Sequence, residues 1–180
     1  MQTPDLEDIY PLSPLQQGLL FHTLAAPSSG VYFQQLSCEL HGRLDVAAFR
    51  RSWLLAVDRH SLLRTAFLWE GLDEPLQVVH RRVEIPFTYE DWRQVAREEQ
   101  QERLVDHLRR DVEQGFALSE PPLMRLGLFR LQDEAYHLVW SHHHLLLDGW
   151  SVYPLVQEVL ATYEASLRGE TLRLDRKSVV

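Results

Sequence analysis

The 180-residue sequence has one cysteine, one lysine, a shortage of positive charge and no apolar run long enough to cross a bilayer. Cys38 has no partner for an intramolecular disulfide and cannot by itself build a metal cluster. In Leu36-Ser37-Cys38-Glu39-Leu40 it shares a strand face with two leucines, so it reads as a small core hydrophobe rather than a reactive thiol. Eighteen Lys+Arg against 26 Asp+Glu leave a net charge of −8, which argues against nucleic acid and anionic membrane as main partners. Lys177 is the single lysine, and the arginine bias reads as coding preference. The first eight residues, Met1 to Asp8, are acidic and have neither the basic nor the apolar stretch of a signal peptide, so the expected location is cytoplasmic.

The 45% hydrophobic and 24% charged content suits a single domain with a real core. Residues 1–9 read as a polar lead-in that stays extended to Pro14. Ser13 followed by Pro14 marks a helix start, and that helix runs to about Leu24. A strand is expected from Val31 to Leu40. Asp45 then caps a helix with Val46, Phe49, Trp53, Ala56 and Val57 on its apolar face. Further strands are expected at Leu62–Trp69 and Leu76–His80, with Pro86–Trp92 irregular. An amphipathic helix follows from Val95 to Gln114, then a hairpin of Leu123–Leu131 and Ala135–His142, and a last helix Val152–Leu167 stopped by Gly169. This order predicts an α/β two-layer sandwich, a mixed β-sheet with helices on one face.

Chemistry concentrates in Ser141-His142-His143-His144-Leu145-Leu146-Leu147-Asp148-Gly149-Trp150-Ser151, where the last strand hands over to the last helix. Neighbouring histidines on a strand point to opposite faces and cannot converge on one ion, and no second ligand cluster has metal spacing, so no metal site is expected. Core packing suits one isolated histidine better than three in a row before Asp-Gly. A His-x-x-x-Asp-Gly spacing has a mechanical reading: the histidine faces a channel as base, the aspartate braces the loop, and glycine lets a substrate approach.

Three ordered stretches make the chain resemble the condensation domains of non-ribosomal peptide synthetases. They are the opening Tyr10-Pro11-Leu12-Ser13-Pro14-Leu15-Gln16-Gln17-Gly18-Leu19-Leu20-Phe21-His22, then Arg59-His60-Ser61-Leu62-Leu63-Arg64-Thr65-Ala66-Phe67, then His143-His144-Leu145-Leu146-Leu147-Asp148-Gly149. Phe116-Ala117-Leu118 and Pro122-Leu123-Met124-Arg125 are also similar to the family. The likeness runs from about residue 8 to about residue 170.

The resemblance implies a chloramphenicol acetyltransferase-like fold of two lobes with the site between them, and that residues 1–180 form the N-terminal lobe. Residues 171–180 would start the connection to the C-terminal lobe. It implies amide formation between two thioesters carried on phosphopantetheine arms, with no cofactor bound by the domain itself. Upstream and downstream peptidyl carrier proteins, the C-terminal lobe and an adenylation domain would be the partners. His144 is implied as the catalytic histidine, acting as base toward the attacking amine or orienting it. His143 is implied to pack or hydrogen-bond, Gly149 to keep the channel floor clear, and Asp148 to form a structural ion pair with Arg64. That pairing also has a physical motive, since an arginine mid-strand in an apolar run needs a partner if buried. The form of the opening motif and Leu145–Leu147 resemble condensation domains that accept a D-configured donor. Trp69, Trp140 and Trp150 are expected in the core or the tunnel wall.

Two other readings compete. One is a complete small acyltransferase of the chloramphenicol acetyltransferase kind, active as a trimer; Tyr10–His22 and Arg59–Phe67 favour the condensation reading over it. The other is a non-catalytic recruiting relative of the fold, which the intact His143, His144, Asp148 and Gly149 disfavour. The lobe alone is expected to fold but not to condense substrates.

Overall fold

A computed structural model describes residues 6–26 and 29–170 of the chain; the expected connection at 171–180 lies outside the described residues. Strand β1 (Leu6–Pro11) opens it, followed by helix α1 (Pro14–Ala25), β2 (Phe33–His41) and α2 (Val46–Arg59). After a 3-10 turn at Ser61–Arg64 come β3 (Thr65–Leu68), β4 (Leu76–His80), β5 (Phe87–Asp91) and α3 (Arg97–Gln114). The hairpin β6 (Met124–Gln132) and β7 (Ala135–His143) leads into α4 (Gly149–Leu167).

Local signals fix most helix ends. Ser13 caps α1 in a reciprocal box: its hydroxyl accepts from the Gln16 N–H at 3.3 Å while the Gln16 amide oxygen accepts from the Ser13 N–H at 2.9 Å. Asp45 caps α2 by accepting from the Ala48 N–H at 2.8 Å. At the far end of α4, Gly169 takes φ +71°, and the N–H groups of Gly169 and Glu170 donate back to Ser166 and Ala165. That is a Schellman stop, which glycine enters without steric cost.

The α/β class and the mixed pairing agree with expectation, but the strands form two sheets rather than one. An antiparallel sheet has the order β1-β4-β3 and a four-stranded sheet the order β2-β7-β6-β5, with β5 parallel to β6. The free edge of β3 is met by the chain after α3, where the Phe67 N–H donates to the Leu118 carbonyl at 2.8 Å.

Two segments expected to lack strand structure belong to these sheets. Residues 1–5 of the expected lead-in lie outside the described residues; its remainder belongs to β1, which pairs Ile9 with Val78 and is almost wholly exposed, so backbone bonding rather than burial makes it a strand. The segment expected to be irregular contains β5, an exposed edge whose parallel pairing leaves no local turn signal.

Nor do the helices all lie on one face of the four-stranded sheet. Strand alternation sends Leu126, Leu128, Leu138 and Trp140 toward α2 and α4, and sends Phe129 and Val139 the other way, where Leu104 and Leu108 of α3 pack. The α2 face is the expected one: Phe49, Trp53, Ala56 and Val57 are all buried, and Trp53 meets Trp140 with ring centroids 4.9 Å apart. Cys38 lies half-buried against the same core, as its leucine neighbours suggest, and burial pushes its thiol pKa up. Among the described residues no helix is long and apolar enough to cross a membrane.

Candidate active site

Strand β7 is held on both sides to its last residue, with Phe33 of β2 and Met124 of β6 bracketing its end. The His143 N–H donates to the Leu123 carbonyl at 3.0 Å, and the His144 N–H donates to the Tyr32 carbonyl at 2.8 Å. Beyond His144 the chain turns tightly, with the Leu146 N–H returning to the His143 carbonyl. Leu145, Leu146 and Leu147 all sink into the core. Three buried leucines therefore anchor a loop whose polar ends face outward.

The three histidines are in three different environments. His142 lies over Trp140 on the α2 side, its ring centroid 4.8 Å from the indole. His143 projects to the other face and is likewise buried; its Nδ1 accepts from the Leu145 N–H at 3.1 Å. Burial pushes both imidazoles down to about 4, so both are neutral at physiological pH. Only His144 is partly open to solvent. The opposed directions of His142 and His143 follow strand alternation, and among the described residues no three potential metal ligands converge.

The hydrogen bonding of His144 settles its tautomer. Its Nδ1 lies 2.8 Å from the Leu147 carbonyl oxygen. A carbonyl only accepts, so Nδ1 carries the proton and donates, which leaves the lone pair of the neutral ring on Nε2. The loop thus presents one oriented imidazole with a basic nitrogen not used by the Leu147 bond.

Asp148 caps α4, accepting from the Ser151 N–H at 2.8 Å and from the Ser151 hydroxyl at 2.7 Å. The Ser151 hydroxyl, with the neighbouring N–H, holds its carboxyl below the usual carboxylate range. The expected Arg64–Asp148 ion pair is not formed. Arg64 ends the 3-10 turn rather than lying mid-strand, and its buried guanidinium donates to Glu7 of β1 at 2.6 Å. It also donates to the carbonyls of His80 and Val57. The arginine does need a partner on burial; the fold supplies one from β1 because Asp148, an exposed helix cap, lies elsewhere.

The rest of the Arg-His-x-x-Leu-Arg-Thr stretch grips α4. Arg59 Nε and His60 Nε2 meet the Glu158 carboxylate at 3.4 and 2.9 Å, all three side chains largely buried. A methyl at Gly149 would meet nothing within 4 Å, so the described residues place no steric demand on it. Trp140 is in the core and Trp69 packs partly buried against it, whereas Trp150 is 89% exposed.

Sequence reasoning missed a polar cluster under β7 and a residue beside His144. The carboxylate of Asp111, buried on α3, accepts from Arg125, from the Ser141 hydroxyl and from the Gln35 amide, the last at 2.9 Å. Arg125 also lies over the rings of Phe116 and Phe33, 4.4 and 5.5 Å from their centroids. The cluster's sequence trace is the family-like Phe116 and Arg125. Tyr32 stacks on the His144 ring at 6.1 Å with φ +68°, and no sequence pattern marks it.

Comparison with known proteins finds the model of the condensation domain matching residues 6–179. The chain is 46% identical over 169 residues to one of the linear gramicidin synthase proteins of Brevibacillus parabrevis, covering 94% of the chain and 3% of that protein. It is 40% identical over 169 residues to bacitracin synthase 1 of Bacillus licheniformis, covering 94% of the chain and 3% of that protein. Among solved structures, the starter condensation domain of rhizomide synthetase RzmA superposes with a TM-score of 0.83 at 22% identity, over 94% of this chain and 40% of that one. The first condensation domain of the calcium-dependent antibiotic synthetase, solved with a substrate analogue, gives a TM-score of 0.81 at 20% identity, over 93% and 40%.

Proposed function

From the premise that this chain belongs to the condensation-domain family, we propose that it is the N-terminal, histidine-bearing lobe of a domain that forms peptide bonds in non-ribosomal peptide synthesis. The chain spans 2–3% of the linear gramicidin synthase proteins and about 40% of the solved starter condensation domain, which supports a lobe joined to others in a longer synthetase. Its substrates would be an upstream acyl or peptidyl thioester and a downstream aminoacyl thioester, each on the phosphopantetheine arm of a carrier protein.

In this reading the acceptor amine attacks the donor thioester carbonyl. A C–N bond forms, the C–S bond breaks, and the amine proton goes to His144 Nε2 before returning to the departing thiolate. The single observation that carries it is the Nδ1–H to Leu147 carbonyl bond at 2.8 Å, which fixes the tautomer with a basic Nε2. His143, buried and neutral, braces the turn through the Leu145 N–H. Asp148 acts through the cap of α4 and Gly149 through clearance for substrate. Because Leu145–Leu147 are buried, a preference for a D-configured donor would come from loop shape rather than side-chain contact.

The test is single-turnover condensation by the intact synthetase with loaded carrier domains. His144→Ala should lower the rate by about 10²–10⁴, the usual worth of a positioned base. A rate within twofold of the parent would remove His144 from that role.

A further inference from the structure

Tyr32 has the only positive φ of any non-glycine among the described residues, +68°, in the loop that leads into β2. A bulky L side chain there costs conformational energy that glycine would not. Such strain persists only where surrounding structure holds it, and it clusters at working sites. The Gly30 carbonyl closes this turn by accepting from the Phe33 N–H at 3.1 Å.

What the strained residue touches is His144, on two sides. Its carbonyl accepts the His144 N–H at 2.8 Å, and its ring stacks on the imidazole with centroids 6.1 Å apart and planes 29° apart. The same ring meets His143 edge-on at 6.5 Å. A glycine would relax the backbone and keep the carbonyl, so the reason for an aromatic residue must lie in what its ring touches, His143 at its edge and His144 on its face. The ring fits one requirement: rotation about the His144 side chain must be limited if Nε2 is to stay aimed.

We infer that Tyr32 is a positioning residue, whose ring fixes the plane of the His144 imidazole and hence the direction of its Nε2 lone pair. The inference rests on the reading of His144 as the working base. Tyr32 makes no bond to substrate in this scheme and acts through His144 alone. A misaimed base costs rate steeply, of the order of 10²-fold for about 1 Å.

The experiment compares Tyr32→Phe, Tyr32→Gly, Tyr32→Asn and His144→Ala in the intact synthetase, by condensation kinetics and thermal unfolding. Glycine and asparagine both tolerate the left-handed backbone, so these variants should melt at or above the parent temperature. Their kcat should fall roughly tenfold to a hundredfold with KM for the donor carrier unchanged, while Tyr32→Phe stays within twofold. A merely structural tyrosine would give the reverse pattern, with an intact rate and a lowered melting temperature. Full activity in Tyr32→Gly beside a slow His144→Ala overturns the positioning role alone. A fast His144→Ala overturns both readings. Should the Gly variant not fold, an active Tyr32→Asn variant would overturn the role equally well.

Discussion

Arg64 donates to the Glu7 carboxylate at 2.6 Å, tying the 3-10 turn to strand β1 across 57 residues of chain. The guanidinium is 5% exposed and the carboxylate 43% exposed, so the arginine is the member that depends on the pair. Its other bonds, to the carbonyls of His80 and Val57, make it a hub for the end of β4 and the last turn of α2.

Arg64→Ala should therefore destabilise by several kcal/mol, at about 1–3 kcal/mol for each of the buried or part-buried carbonyls of Val57 and His80 that loses its donor. Asp148→Asn should be near neutral, since asparagine caps a helix about as well, and Asp148→Ala should cost about 1 kcal/mol. Urea denaturation of the three variants separates the cases. Equal losses for Arg64→Ala and Asp148→Asn would mean that the two residues pair after all.

Stability should fall with acid because of His142 and His143. An unfolded histidine titrates near pH 6.5, whereas burial holds these two down to about 4. Between those values the unfolded chain takes up protons that the folded chain refuses, so stability is complete above about pH 6.5 and declines as pH drops toward 4. Each group contributes at most about 3 kcal/mol to that decline. Urea midpoints at pH 7, 6 and 5 should drop accordingly, and His142→Phe, which keeps a ring against Trp140, should flatten the slope. An unchanged slope in that variant would remove His142 as a cause.

The Asp111 cluster should behave as one unit. Ser141→Ala removes a single neutral donor to a carboxylate that keeps Arg125 and Gln35, at about 1.5–3 kcal/mol. Arg125→Met should cost about 3–5 kcal/mol, because it strands a buried carboxylate. In the double variant the two losses should fall short of, or exceed, simple addition by at least about 0.5 kcal/mol. Strict additivity, measured by denaturation, would separate Ser141 from the pair.

The sequence by itself determined the parts whose cause is local. Ser13, Asp45 and Gly169 mark helix ends because caps and left-handed stops act within a turn. The α2 stripe and the β6–β7 hairpin follow from periodicity, and the His143–Gly149 stretch stood out by composition and spacing. Tertiary structure decided what spacing cannot encode. Strands β1 and β5 exist through backbone pairing with distant partners, so their exposed side chains left no alternation to read. Arg64 chose Glu7 over Asp148 because the 3-10 turn buries it beside β1 while Asp148 caps an exposed helix end. Burial is also what separates the three adjacent histidines. Two are sealed and neutral, and His144 alone keeps solvent access, a fixed tautomer and a stacked neighbour, Tyr32, far earlier in the chain.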